Sequence, residues 1–191
     1  RHGVQVALVP IGHVSSVMFD RERRWMITTG DVGAYRWPMR TAGDLITIGP
    51  PVAVHPDTAR LTMDRGNVSS DATIVAAIRR SDRSLMVQSA SEGQLRSFTG
   101  QSKISSVAVS PDGRWIASGT RGGIGVRIWD VETGQTMQEL PIELDATVSF
   151  SPNGKLLGVS TRKEVSFWSV GDWTRVHGLF RENLPTSGTV S

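Results

Sequence analysis

The 191-residue chain contains no cysteine. Disulfide staples and thiolate metal sites are thereby excluded, and with no feature that calls for an oxidising compartment a reducing, cytoplasmic setting is expected. Long apolar runs are also missing. None approaches the roughly 20 residues that a membrane-spanning helix needs, and the N-terminus lacks the basic, apolar, small-residue succession of a secretory leader. No long block of one charge sign occurs either. The pI of about 9.9 rests on 21 Lys and Arg against 18 Asp and Glu, a net charge of only +3. The densest basic cluster, Arg21, Arg23 and Arg24, reads as a solvated turn between two strands, because nucleic-acid binders gather charge along a face. Neither a membrane nor a nucleic acid is the partner this pattern points to.

Catalytic signatures are equally scarce. His2, His13, His55 and His177 have no metal-ligand spacing and no clustered carboxylates beside them. There is no Gly-x-Ser-x-Gly elbow, no phosphate loop ending in Lys-Ser or Lys-Thr, and neither a His-Arg-Asp nor an Asp-Phe-Gly kinase signature. The one glycine-rich stretch, Gly119-Thr120-Arg121-Gly122-Gly123-Ile124-Gly125, joins two strands and opens no helix that could hold a phosphate. Asn67-Val68-Ser69 matches a glycosylation sequon but falls in an expected inner strand. The expectation is a protein without catalytic, metal or cofactor-binding residues.

What the chain does have is repetition. The segment from Ile104 to Gly119, with Ser110-Pro111-Asp112-Gly113-Arg114-Trp115 at its centre, returns as Ala146 to Ser160 with Ser151-Pro152-Asn153-Gly154 at an offset of 41 positions. An earlier copy runs from Val14 to Asp20 and from Arg24 to Gly30, 90 positions before its counterpart, which leaves room for one unit between. That unit is degenerate: Ser70-Asp71-Ala72 stands where Pro111-Asp112-Gly113 stands.

Each unit reads as four short strands separated by turn residues at 8–12-residue spacing, with no helical periodicity. The expected strands are 14–19, 24–29, 33–37 and 45–48; 63–69, 72–78, 84–89 and 94–98; 104–110, 114–119, 125–130 and 136–140; and 146–151, 155–160, 164–169 and 174–179. Segments such as Ile74-Val75-Ala76-Ala77-Ile78 carry apolar atoms on both faces, as a sheet covered on both sides requires. Radially stacked four-stranded sheets meet that requirement better than a sandwich with one wet face.

At these residues the chain resembles the WD-repeat β-propellers. Trp129-Asp130 matches the dipeptide that ends a blade's third strand, Trp168-Ser169 and Trp37-Pro38 hold its place, and Gly12-His13 matches the Gly-His before an inner strand. The resemblance implies an all-β fold, a β-propeller fragment of four-stranded antiparallel blades at about 12–48, 63–98, 104–140 and 146–179. Residues 1–11 would supply the outer strand of a preceding blade and residues 186–191 would open a following one, so that both termini fall inside repeats and the remaining blades belong to a larger propeller. The resemblance also implies a structural tetrad of His13, Thr29, Asp31 and Trp37, in which buried polar groups satisfy one another. Trp129, Asp130 and Trp168 are the corresponding blade signature. Departures are plain: Gly122-Gly123 replaces the Asp in the third unit and Gln88 the Trp in the second. Bacterial arrays with well-kept Ser-Pro-Asp-Gly turns look similar, and they are often joined to a serine/threonine kinase domain.

The function this implies is a non-catalytic protein-interaction scaffold, with a protein or peptide partner at the propeller loops 31–33, 49–58, 79–83, 99–103, 121–124 and 141–145. The alternative is a regulatory or substrate-docking region of a multidomain bacterial Ser/Thr kinase, with nucleic-acid binding behind both. Trp173 reads either as an exposed partner anchor or as packing at a blade rim. Residues 49–57, rich in proline, read as a spacer between the first two units.

Overall fold

The computed structural model describes residues 12–90, 93–122, 125–143 and 145–180. The strands expected in 1–11 and 186–191 lie outside the described residues. Four antiparallel sheets follow one another along the chain. Sheet one contains β1 (Val14–Phe19), β2 (Trp25–Gly30), β3 (Gly33–Ala42), β4 (Leu45–Ile48) and β5 (Val52–Ala53). A short 3-10 helix, Pro56–Arg60, leads to sheet two, which is β6 (Met63–Val68), β7 (Ile74–Arg79), β8 (Leu85–Ser89) and β9 (Leu95–Phe98). Sheet three is β10 (Ile104–Val109), β11 (Trp115–Thr120), β12 (Val126–Asp130) and β13 (Thr136–Leu140). Sheet four is β14 (Thr147–Phe150), β15 (Leu156–Ser160), β16 (Glu164–Ser169) and β17 (Arg175–Phe180). The first strands β1, β6, β10 and β14 are successive neighbours in space, so the array is a β-propeller fragment with its inner strands side by side.

Local side-chain chemistry sets the first hairpin of every sheet. In sheet three, Ser110 Oγ donates to Asp112 and accepts from the Trp115 N–H at 2.8 Å, while Gly113, at φ +76°, donates its N–H to the Ser110 carbonyl. Ser69 and Asp71 repeat the arrangement before Ile74, and Ser151 and Asn153 before Leu156. In sheet one Asp20 takes the serine's place and accepts from Trp25 N–H at 2.8 Å. The left-handed residue is Gly113 or Gly154 in two turns but Ala72 and Arg23 in the others, which is why only two copies look alike in sequence.

Strand alternation then divides the cores. On sheet two Ile74, Ala76, Val87, Leu85 and Phe98 face sheet three, where Val107, Val109, Ile116 and Trp129 meet them. On the opposite face of sheet three Trp115, Ala117, Ile128, Val126 and Leu140 pack against Val148, Leu157, Val159 and Trp168 of sheet four. Sheet-to-sheet hydrogen bonds lie beside the inner strands: Gly66 N–H donates to Ser16 Oγ at 3.1 Å, Val109 N–H to Asn67 Oδ1 at 2.9 Å and Val148 N–H to Ser106 Oγ at 3.1 Å. The sequon asparagine thus holds two sheets together.

Sheet one departs from the expected pattern. β3 continues through Ala42 instead of stopping at 37, and its far half pairs only with β4, closing at Pro38 and Gly49 with a 2.8 Å backbone bond. The outer strand of the sheet proper is β5, which pairs Ala53 and Val52 with Tyr35 and Arg36. Residues 39–48 are therefore an inserted hairpin arm, with Leu45, Ile46 and Ile48 exposed. The expected proline-rich spacer, 49–57, contains that strand and the start of the 3-10 helix, whose first turn is fixed by His55 Nδ1 accepting from Asp57 N–H at 3.1 Å.

Candidate functional site

A recess of about 730 Å³ opens at the end of the array where β6, β10 and β14 begin and β11 and β15 finish. Asp64, Arg65, Arg83, Ser105, Thr120, Arg121, Asp145, Thr147, Ser160, Thr161 and Arg162 form most of its wall. Two of the inner strands that line this mouth pass through register shifts, between Met63 and Gly66 and between Ile104 and Ser106. Such bulges turn side chains out of the pleat. They bring Arg65 and Ser105 to the wall.

Ion pairs and hydrogen bonds tie the rim together. Arg83 spans two sheets, donating from Nη1 to Asp64 Oδ2 at 2.5 Å and from Nε to the Ile104 carbonyl at 3.0 Å. Arg80 reaches from sheet two to sheet one, donating to Asp31 Oδ1 at 2.7 Å and to Ser15 Oγ at 3.3 Å. The Gly122 N–H donates to Asp145 Oδ1, and Thr161 Oγ1 accepts from the Glu164 N–H at 3.1 Å. At the turn between β7 and β8, the hydrogen bond from Arg79 foremost, with further bonds from Ser84, holds the Asp82 carboxyl well below the usual carboxylate range, against the opposing effect of burial. Asp82 is thus a fixed negative charge and no proton donor near neutral pH.

The four tetrad residues are not assembled as one group. The Trp37 indole donates to Thr28 Oγ1 at 3.0 Å, not to Thr29. Register supplies the reason: Trp37 stands opposite Met26, so Thr28, two residues on, shares its face and Thr29 points the other way. Thr29 instead donates to the Asp64 carbonyl of sheet two at 2.8 Å. Asp31 is engaged by Arg80, and His13 is exposed, meeting Asp31 only through its backbone carbonyl, which accepts the Asp31 N–H at 3.0 Å. The Trp129 indole donates to Ser118 Oγ at 2.7 Å in the same geometry as Trp37, whereas Trp168 turns to Ser166 on its own strand at 3.0 Å. Asp130 closes the next turn by accepting from Thr133 N–H at 2.8 Å. Trp173 packs edge-on against Trp115, with ring centroids 5.6 Å apart, and is buried.

Of the loops expected to bind, those at 79–83, 121–124 and 141–145 send Arg83, Arg121 and Asp145 to the mouth. The arginines there were missed from the sequence alone; the signal that marks them is a spacing, for Arg121 and Arg162 follow Arg80 at intervals of 41 residues, just after the second strands of sheets two, three and four. Among the described residues no group of three or more His, Asp or Glu could hold a metal ion, and no helix is long and apolar enough to cross a membrane. A smaller recess of about 230 Å³ lies at the opposite end, lined by turn residues including Ser70, Pro111 and Pro152.

Four successive four-stranded antiparallel sheets with adjacent inner strands define the fold as a fragment of a β-propeller. Residues 92–130 match the family described as WD domain, G-beta repeat. Over 89 residues the chain is 32% identical to U3 small nucleolar RNA-associated protein 21 of Saccharomyces cerevisiae, a stretch that covers 44% of this chain and 9% of that protein. Over 77 residues it is 34% identical to small ribosomal subunit protein RACK1 of Brassica napus, covering 40% of this chain and 23% of the relative. The matched stretch is less than a quarter of either relative's length. These matches support a WD-repeat family for the chain, and they leave a bacterial type and a kinase linkage without support.

Proposed function

We propose that the chain is a non-catalytic interaction scaffold that receives a protein or peptide at the mouth recess. The observation that carries this reading is the recess itself: a polar concavity of about 730 Å³ whose rim is tied across sheets by Arg83, which donates to the Ile104 carbonyl, and by Asp145. A rim fixed before binding loses little conformational freedom when a partner docks, and that is what makes loops on a rigid frame effective binding surfaces. The matches to WD-repeat proteins agree with a scaffold role. In the same reading, further blades cover the open faces of sheets one and four.

The test is selection of binding peptides from a displayed library against the purified chain, followed by affinity measurement on Thr147→Trp. Thr147 is exposed in the wall, so a bulky ring there obstructs the recess without entering a core. Selected peptides are expected to lose binding to this variant and to keep it with Lys155→Trp, an exposed position at the opposite end. Peptides that bind both variants as well as the parent would contradict the assignment of the mouth.

A further inference from the structure

The repeat position that follows the second strand is occupied by Asp31 in sheet one and by Arg80, Arg121 and Arg162 in sheets two to four. Arg80 finds a carboxylate because the preceding sheet supplies Asp31 at that position, 2.7 Å away. Arg121 has no such neighbour: the preceding sheet presents Arg80 there. Arg162 is in the same situation, with Arg121 before it. Both are exposed, and among the described residues no carboxylate pairs with either. Arg65, also exposed in the wall, donates only to the Ser105 carbonyl, at 3.4 Å. The two carboxylates of the wall are already engaged, Asp64 by Arg83 and Asp145 by the Gly122 N–H.

We propose that Arg121 and Arg162, with Arg65, bind an acidic segment of a partner protein, its Asp or Glu carboxylates taking at sheets three and four the place that Asp31 takes beside Arg80. The inference rests on the scaffold reading and names the partner's chemistry. A guanidinium presents a planar fork of donors suited to a carboxylate, and the Arg80–Asp31 pair shows that ligand in place at the equivalent position. The hydroxyls of Ser105 and Thr147 lie in the same wall and suit the polar backbone of an extended peptide. No aromatic ring lines the recess among the described residues, so the stacking platforms on which single-stranded nucleic acids depend are missing.

The experiment measures fluorescence anisotropy of a labelled deca-glutamate peptide with the whole chain, beside a deca-glutamine peptide and a deca-uridylate RNA. The glutamate peptide is expected to bind and the other two to bind at least about tenfold more weakly. Arg121→Glu combined with Arg162→Glu is expected to weaken glutamate-peptide binding about tenfold or more, and Arg121→Gln with Arg162→Gln by less. A control of equal charge change away from the mouth, Arg21→Glu with Arg40→Glu, is expected to leave binding within about twofold. Circular dichroism of the exposed-site variants verifies that each is folded. Equal loss in the mouth and control variants, or preference for the RNA, overturns the proposal. Library-selected neutral or basic peptides that bind at the mouth while deca-glutamate does not also overturn it, but leave the scaffold reading standing. Failure of every peptide to bind overturns both.

Discussion

Residue by residue, the polar interior of this array depends on which face a side chain occupies. A buried indole N–H needs an acceptor, and leaving it without one costs about 1–3 kcal/mol. Trp37 and Trp129 find theirs in Thr28 and Ser118. The sequence makes the tryptophans easy to see, yet it places Thr28 and Thr29 side by side with nothing local to choose between them. The choice belongs to the β2/β3 register, a property of the pair of strands. Thr28→Val keeps the shape and removes the acceptor, so it is expected to destabilise the chain by about 1–3 kcal/mol in urea unfolding. Thr29→Val should leave the Trp37 indole signal in near-ultraviolet circular dichroism unchanged, because Thr29 reaches toward sheet two. Loss of that signal in Thr29→Val together with an unaltered Thr28→Val would reverse the assignment.

Among the elements, the first hairpins were legible because their chemistry is local: the hydroxyl of Ser110 and the carboxylate of Asp112 act within five residues of themselves. Strands β10 to β13 accordingly fall within a residue or two of where the pattern puts them. The hairpin arm at 39–48 was not legible, since Leu45-Ile46-Thr47-Ile48 reads as well as an outer strand as it does as an arm. What separates the two is that Val52-Ala53 wins the pairing with Tyr35 and Arg36, a contact made across a segment rich in proline. Mouth arginines escaped for a different reason: turn residues do not enter an apolar period, and only the spacing of Arg80, Arg121 and Arg162 marks them.

Equivalent positions in different sheets also have unequal weight. Phe19 and Val109 stand opposite Met26 and Ile116 in their respective first pairs, but Phe19 is 53% exposed and Val109 only 4%. Val109 is covered by sheet two. Val109→Ser is therefore expected to cost about 2–3 kcal/mol, whereas Phe19→Ser should cost under about 0.5 kcal/mol in the isolated chain. Urea midpoints of the two variants check this, and similar losses at both sites would show that Phe19 is already buried in solution.

Across the whole molecule, the same positions distinguish sheet four from sheet three. Leu156, Gly158, Val165, Phe167 and Leu179 of sheet four occupy the register places of Trp115, Ala117, Val126, Ile128 and Leu140 of sheet three. In sheet three those residues are buried by a following sheet; in sheet four Leu179 is exposed and Val165 and Phe167 are half-buried. Leu179 on this face, and Val17 and Phe19 on the counterpart face of sheet one, are exposed, as the proposed addition of further sheets requires. Further sheets added at these faces, as proposed, would leave the mouth unaltered, because its wall comes from sheets two, three and four. In this proposal binding and assembly use different surfaces of one repeat.

The most direct measurement is amide hydrogen exchange of the chain alone and with a library-selected peptide at saturation. Protection is expected at 80–83, 120–122, 145–147 and 160–162, the segments that frame the mouth, with the turns at 20–24, 111–114 and 152–155 unchanged. Protection of those opposite turns, with the mouth exchanging as freely as before, would contradict the account.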